Sequence, residues 1–274
     1  MPEISATQVS ALRGRTGLPM MDVKKALVEA NGDETAAIEI LRKRFADKMS
    51  SRADKEAANG RIGCHTDARG GALVELRCET DFVANNAVFQ ELSNQFARQV
   101  AATHAKDAAA LLASKAEFAG GRAMNDLLAE AYGKLNEKME YRRGRCVHGA
   151  AAGYVHHNGK VGAVVTMDKP DNDAGKKISM HVASRQVLLG LDRAAIDVKV
   201  SDEARAAMRA EVPAGKPANI IEKIVDGKMD KWYAERVLLE QPFALDDSKT
   251  VGQFAKESGI TVTGYLRFEV GERA

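Results

Sequence analysis

The sequence predicts an α+β fold in which a small helical module precedes a core of two related halves. Two separate stretches alternate apolar and polar residues, which is typical of half-buried strands, and each is followed by residues with helical spacing. Three short helical patterns come before the first alternating stretch. With 274 residues, the chain is long enough for a sizeable core and about two domains.

Composition narrows the classes of function. The 40 lysines and arginines nearly balance the 38 aspartates and glutamates, so no direct contact with nucleic acid is expected. The three cysteines are an odd number without a Cys-x-x-Cys pair, which favours reduced thiols and a cytoplasmic location. No apolar run approaches the roughly 18 residues of a membrane helix, so no membrane partner is expected.

The N-terminal module is predicted to span residues 1–45. Ser5 can cap a first helix, and Gly17 follows its end. A second helix follows Pro19, and Asp33 can cap a third. The next segment, residues 46–59, is polar and charged without a sustained apolar face, and it is predicted to be a linker.

The first half of the core, the N-subdomain, is predicted to span residues 60–144. A hairpin is followed by three helical patterns. These helices are predicted at about 86–104, 107–118 and 122–140. Residues 141–145, which include three arginines, are predicted to end the last helix, since positive charge suits a helix C-terminus.

The second half, the C-subdomain, is predicted to span residues 145–274 and to repeat this pattern. Its predicted hairpin, helix and last strand lie at 146–167, near 173–189 and around 262–270. Helical spacing between about 191 and 240 predicts a helical hairpin that projects from this half.

One stretch, Cys78 to Asn86, joins a predicted strand to a predicted helix that Asn85 or Asn86 can cap. Asp81 and Phe82 are therefore predicted on a connecting turn, and binding residues gather on such turns when rigid elements hold them. The alternative is structural: Asp81 braces the turn while Phe82 folds onto the core. The residues alone leave both interpretations open.

Motifs for catalysis are missing from the sequence. The phosphate-binding pattern G-x-x-x-x-G-K-[ST] is absent, and no nucleophile, base and orienting group can be assembled. Cys64-His65 and His156-His157 do not complete a four-ligand metal set. No enzymatic activity, metal or cofactor is therefore expected.

Two alternative functions stay open at this point. The first is a translation-associated RNA-binding module using the basic residues Lys24, Lys25, Arg42, Lys43 and Arg44. The second is a GTP-using enzyme, which would have to bind GDP alone.

Several separated motifs occur in a fixed order along nearly the whole chain. They are Arg15-Thr16-Gly17, Met20-Met21-Asp22, Lys24-Lys25-Ala26-Leu27, Glu79-Thr80-Asp81-Phe82-Val83-Ala84, Tyr154-Val155-His156 with Gly162, Gln241-Pro242-Phe243, Thr250-Val251-Gly252 and Arg267-Phe268-Glu269-Val270-Gly271-Glu272. In this combination the chain resembles bacterial elongation factor Ts, the guanine-nucleotide exchange factor for elongation factor Tu.

The resemblance implies a fold, a partner and a set of contacts. The N-terminal module would be like a ubiquitin-associated domain, and a helical hairpin would be inserted in the second of two core subdomains. Elongation factor Tu would bind in its GDP-bound and nucleotide-free states, and homodimer formation is left open. The chain stops at Ala274, where some members continue into a C-terminal helical module, so no contacts are assigned to such a module.

The implied contacts fall into two groups. Met20, Met21 and His156 would touch the partner. Thr80, Asp81, Phe82 and Val83 would bind the partner and displace its magnesium. Within this group, Asp81 and Phe82 would intrude beside the magnesium and phosphate site and promote GDP release.

Overall fold

The structure, a computed structural model, describes residues 4–52, 54–105, 107–185, 188–213 and 215–272. Helices and small antiparallel sheets occur together, which confirms the predicted α+β class. The α-helices are α1 (Ala6–Thr16), α2 (Met20–Glu29), α3 (Glu34–Ser50), α4 (Asp81–Ala84), α5 (Ala87–Thr103), α6 (Ala108–Ala113), α7 (Met124–Leu135), α8 (Asn172–Ser184), α9 (Val198–Ala210), α10 (Ala218–Arg236) and α11 (Val251–Glu257). The strands are β1 (Asn59–Asp67), β2 (Gly70–Cys78), β3 (Lys115–Ala116), β4 (Arg122–Ala123), β5 (Met139–His148), β6 (Ala150–Val155), β7 (Val161–Met167), β8 (Pro242–Phe243), β9 (Asp246–Thr250) and β10 (Val262–Glu269).

The N-terminal module consists of α1, α2 and α3. The Ser5 hydroxyl accepts a hydrogen bond from the Gln8 amide, and the Gln8 side chain accepts one from the Ser5 amide, which caps α1. Gly17 ends this helix at φ 69°, a left-handed conformation that favours glycine. The Asp33 carboxylate accepts from the Ala36 amide and begins α3. The predicted caps are therefore confirmed, while the likeness to a ubiquitin-associated domain stays a prediction.

Helix α3 continues to Ser50, into the segment predicted to be a linker. The reason is tertiary packing against α7. Phe45 and Tyr132 place their ring centroids 6.5 Å apart, and a Cβ at Gly133 would lie only 2.8 Å from the Phe45 ring. The module is thus joined to the core through α3 and α7.

The first sheet has the strand order β1-β2-β5 and is antiparallel. Strand β5 pairs with β2 from Gly70 opposite His148 to Cys78 opposite Met139. The prediction that residues 141–145 end a helix was therefore wrong. Helix α7 ends at Leu135, because Asn136 adopts a left-handed φ of 55°.

This pairing also moves the boundary between the halves. Position 144/145 falls inside β5, and the chain leaves the first sheet only at Gly149, where φ is 97°. The hairpin predicted over 146–167 therefore begins in β5 of the first sheet, and only its β6 and β7 belong to the second.

The second sheet has the order β10-β7-β6, and α8 packs against it. The last strand, predicted around 262–270, is β10, and it pairs with β7 in this sheet. Helix α8 ends at Ser184, and residues 186–187 of the predicted helix lie outside the described residues. In the predicted helical hairpin, Arg205 of α9 pairs with Glu222 and Asp226 of α10 at 3.2 and 2.6 Å.

The two sheets pack against each other through a small apolar core. This core contains Ile62, Leu73, Ala151, Val164, Leu266 and Phe268. Close approach requires glycine at two positions: a Cβ at Gly162 would lie 2.7 Å from Ile62, and one at Gly153 would lie 2.6 Å from the Cys64 sulfur. The end of β2 is consequently held between α5 on one face and the second sheet on the other.

Candidate functional site

Phe82 lies on a short helix at the end of β2 and is 84% exposed. It occupies a helical turn, α4, whereas a connecting turn was predicted. The next two side chains, Val83 and Ala84, are buried and fix α4 to the core, while Asp81 and Phe82 face solvent. The alternative in which Phe82 folds inward does not occur.

Hydrogen bonds of Thr80 hold the start of α4 in place. The Thr80 hydroxyl accepts a hydrogen bond from the Val83 amide at 3.3 Å and so caps the helix. The same hydroxyl and the Thr80 amide donate to the two carboxylate oxygens of Glu137, at 2.6 and 3.0 Å. Charge-assisted bonds of this kind are stronger than neutral ones, so the orientation of α4 is well defined.

The residues on both sides of α4 are held as well. The Glu79 carbonyl accepts from the Asn59 amide group at 2.9 Å, and its carboxylate accepts from the Lys138 amide at 2.7 Å. On the other side, Asn86 accepts from the Val88 amide and caps α5, which decides between the two predicted caps. Sequence reasoning missed Glu137, because it lies 57 residues from Thr80 and no local pattern marks it.

Met20 and Met21 lie on the first turn of α2 and are 52% and 61% exposed. Val23 and Leu27 carry the core face of this helix instead. The usual interpretation of methionines at helical spacing as core residues therefore does not apply to this pair. Flexible, exposed methionines suit a surface that adapts to a partner.

Helix α3 connects the methionine pair with α4. Asp22, next to Met21, lies 3.7 Å from Lys48 near the end of α3. One turn further along, Arg52 lies 3.7 Å from the Glu79 carboxylate and also donates to the Asn136 carbonyl. The start of α2 and the stretch before α4 therefore adjoin the same end of α3.

His156 begins the connection between β6 and β7 and is half-buried. Its Nδ1 lies 3.0 Å from the Tyr154 hydroxyl, and its ring lies 4.2 Å from that of His157. The Gly159 carbonyl in this connection accepts from the Ile62 amide of β1, three residues from the Asn59 that holds Glu79. The connection thus lies over the end of the first sheet that leads into α4.

The cationic residues considered for RNA binding are partly neutralised. Arg42 pairs with Glu39, and Arg44 lies 2.9 Å from Glu29. Both ion pairs lower the positive potential available to a phosphate backbone. The basic cluster therefore gives less support to the RNA-binding alternative than its composition suggested.

The thiols nearest these elements are not nucleophiles. Burial raises the pKa of Cys64 to about 12, and burial with the nearby Glu137 carboxylate raises the pKa of Cys78 to about 12. Since the thiolate is the reactive form, neither side chain suits covalent chemistry near neutral pH. The arrangement around α4 offers contact surface instead.

Comparison with known proteins identifies the family to which this chain belongs. A family model described as Elongation factor TS matches residues 79–272, so the match begins at the stretch leading into α4. The chain belongs to the elongation factor Ts family. The resemblance seen in the sequence is thereby confirmed, and the protein has a role in translation elongation.

Individual relatives extend the similarity to nearly the whole chain. Elongation factor Ts of Pasteurella multocida is 42% identical, and the alignment covers 99% of this chain and 93% of the relative. The protein of the same name from Hyphomonas neptunium is 39% identical over the same shares of each chain. That of Kineococcus radiotolerans is 36% identical and is covered completely. The N-terminal module thus lies within the similarity, although the family model begins after it.

No helix within the described residues combines the length and apolar character that crossing a bilayer requires.

Proposed function

We propose that this protein is a guanine-nucleotide exchange factor for elongation factor Tu, acting in cytoplasmic translation elongation and not as an enzyme. The observation that supports the proposal is the solvent-exposed Phe82 on a braced helical turn. An exposed phenylalanine forgoes about 1.5–3 kcal/mol of burial free energy, which a partner can supply. Membership of the elongation factor Ts family supports elongation factor Tu as the partner.

In the proposed mechanism, Asp81 and Phe82 enter the partner beside its bound magnesium and phosphates. Magnesium demands near-ideal octahedral geometry, so displacing one of its waters or ligands weakens the nucleotide. The coupling is reciprocal: if this protein weakens GDP binding, GDP weakens the binding of this protein by the same factor. Exchange then proceeds through a nucleotide-free complex that GTP resolves.

The free energies of nucleotide release and of phenylalanine burial indicate that two groups of residues are needed. Weakening a nucleotide a thousandfold takes about 4 kcal/mol. Burying one phenylalanine supplies about 1.5–3 kcal/mol, before the partner is deformed. Phe82 therefore cannot both dock the protein and displace the nucleotide. Met20, Met21 and His156, with the second subdomain, are proposed to supply the remaining binding energy.

Within the proposed site, the flanking residues have positioning roles. Thr80 links α4 to Glu137, and Val83 is buried beneath the turn. Neither side chain is proposed to reach the nucleotide. They keep Asp81 and Phe82 in place, so that little ordering entropy is lost when the partner binds.

The test is release of a fluorescent GDP analogue from purified elongation factor Tu. The wild-type protein should accelerate release, and Phe82→Ala should lower the accelerated rate by about ten- to a hundredfold, corresponding to 1.5–3 kcal/mol. Asp81→Ala should also lower it. The affinity of Phe82→Ala for nucleotide-free elongation factor Tu should fall by a smaller factor than the rate of GDP release, because Met20, Met21 and His156 are intact.

Leu245→Ala is the matched control, since Leu245 is also a large exposed apolar residue, 52% exposed, but lies in the turn between β8 and β9. Leu245→Ala should accelerate GDP release from elongation factor Tu as much as the wild type does. Absence of any acceleration by the wild-type protein would end the exchange-factor proposal. Equal rates for Phe82→Ala and Leu245→Ala would place the active surface elsewhere.

A further inference from the structure

Two histidines and a cysteine converge beside the first sheet, on surface that the proposed exchange mechanism does not use. His104 follows α5, whereas Cys146 and His148 lie near the end of β5. The His104 Nδ1 atom is 3.1 Å from the Cys146 sulfur, and the two imidazole rings are 4.7 Å apart. One nitrogen from each histidine and the sulfur all lie within 4.8 Å of one another.

The backbone holds these three side chains on rigid supports. Cys146 and His148 are two residues apart on one strand, so both side chains point to the same face of the sheet. Their partners on β2 are Ala72 and Gly70. His104 ends α5 in the left-handed region at φ 50°, where its amide donates to the Val100 carbonyl. The cluster thus links a helix end to a strand end.

We propose that His104, Cys146 and His148 bind a zinc ion. Zinc accepts nitrogen and sulfur ligands at about 2.0–2.1 and 2.3 Å in tetrahedral geometry, which places ligand atoms roughly 3.3–3.6 Å apart. The present separations bracket this range, and both histidines are exposed, so small rotations of their side chains would complete the set. A mixed thiolate and imidazole set favours zinc over magnesium or calcium.

The fourth zinc position would face a groove of about 570 Å³, which His104 and His148 help to line. Water can occupy that position, as in sites with three protein ligands. Two arginines of the groove have partners within its lining: Arg69 lies 3.3 Å from Asp67, and Arg98 stacks on the Phe118 ring at 4.7 Å. Asp67 and Glu117 also line the groove and offset part of the positive charge of Arg69, Arg98 and Lys115.

The site escaped the sequence-based expectation of no metal, which considered only neighbouring Cys-His and His-His pairs. His104 and Cys146 are 42 residues apart, and they meet because β5 pairs with β2 and α5 packs on the same sheet. On binding, the Cys146 thiol would release its proton to solvent and coordinate as the thiolate. The metal would fasten the end of α5 to the end of the sheet and stabilise the folded state.

The test uses the full chain, freed of metal with a chelator and then titrated with zinc by calorimetry and with cobalt by absorption. We expect one ion per chain and a thiolate-to-cobalt charge-transfer band in the near ultraviolet. Cys146→Ser should abolish the band and weaken zinc binding at least tenfold. Cys64→Ser is the matched control, because Cys64 is a similarly half-buried thiol outside the cluster, and it should retain both signals.

Two histidine variants test the zinc site independently, in case the cysteine variant does not fold. His148 is exposed at the strand end, so His148→Asn should leave the far-ultraviolet circular dichroism unchanged while weakening zinc at least tenfold. His104→Asn keeps a residue that tolerates the left-handed conformation and should behave in the same way. Substoichiometric binding by the wild type, or unchanged zinc affinity in the folded His148→Asn variant, would overturn the proposal.

Discussion

The two halves of the core differ most where a strand leads into its following helix. In the first half, residues 79–86 separate β2 from α5 and include the extra helix α4 with its exposed Phe82. In the second half, residues 168–171 suffice to join β7 to α8. There, Asp168 exchanges backbone and side-chain hydrogen bonds with Thr261, at 3.0 and 2.7 Å.

The supporting structure in the two halves is more alike than the connections. Each half packs a helix on a three-stranded sheet, and each has a glycine at that contact. Gly63 of β1 lies against Ser93 of α5, and a Cβ at Gly175 of α8 would lie 2.6 Å from Ala152 of β6. The candidate site therefore depends on the longer connection at residues 79–86. The hairpin-plus-helix scaffold is compatible with both the long and the short connection.

Removal of Glu75 is the most severe way to break the link between the halves. Glu75 is buried on β2, and its carboxylate accepts from Arg143 at 2.7 Å and from the Gly271 amide beyond β10 at 3.0 Å. The Arg77 guanidinium forms an ion pair with the same carboxylate at 3.3 Å. Glu75→Ala leaves these donors without their partner. We expect a loss of about 3–5 kcal/mol in the free energy of unfolding, measured by urea denaturation.

Lys177→Ala provides the control for this prediction. Lys177 pairs with Asp173 at 2.7 Å on the exposed surface of α8, and such pairs contribute less than about 1 kcal/mol. A similar loss in both variants would show that burial of the Glu75 network does not determine its contribution. Separate unfolding transitions in the wild type would show that the halves do not share one cooperative core.

Local patterns predicted those parts of this comparison that depend on neighbouring residues. The alternation that ends at Cys78 predicted β2, and Asn86 was one of two predicted caps of α5. The secondary structure of residues 141–145 depends on pairing with a distant strand. Arg143 lies in β5 because β5 pairs with β2, where Arg143 also forms an ion pair with Glu75. Long-range pairing of this kind leaves no periodic signal next to a helix.

The candidate site was predictable to a similar extent. Family motifs marked Asp81 and Phe82, but not the direction in which Phe82 points. That direction depends on Glu137 and on the burial of Val83 and Ala84, and both are properties of the assembled core.

A buried histidine should give the second half a pH dependence of its own. His181 is fully buried; its Nδ1 accepts from the Ala244 amide at 3.1 Å, and its Nε2 lies 2.8 Å from the Gln241 carbonyl oxygen. Both contacts fit the neutral ring. Burial, with a smaller effect of the Arg185 charge, lowers the pKa of His181 to about 4.

The unfolded chain has a histidine pKa near 6.5, so between pH 6.5 and 4 it binds more protons at this position than the folded chain. The stabilisation by His181 is complete above pH 6.5 and is lost as the pH falls. We expect about 2 kcal/mol of loss between pH 7 and 5, seen as the difference between wild type and His181→Asn in urea unfolding. The exposed His157→Asn serves as control and should follow the wild type. Parallel pH profiles for wild type and His181→Asn would contradict the assignment.

The smallest expected effect on stability separates the roles of the two connections. Thr80 caps α4 in the first half, and Asp171 caps α8 in the second by accepting from the Asp173 and Ala174 amides at 3.1 and 3.0 Å. Loss of an N-cap costs about 1 kcal/mol. Asp171→Ala should therefore destabilise the protein by about 1 kcal/mol in urea unfolding. Thr80→Ala should destabilise it somewhat more, because it also removes the hydroxyl bond to Glu137.

Their effects on GDP release from elongation factor Tu should differ. Thr80→Ala also removes the hydroxyl contact with Glu137, which loosens α4 beneath Phe82 and should slow release severalfold. Asp171→Ala should leave release unchanged, and Thr80→Ser, which retains the hydroxyl, should restore the wild-type rate. Equal slowing by both alanine variants would mean that exchange follows global stability. Slowing by Thr80→Ala alone would show that the longer connection of the first half acts through the fixed orientation of α4.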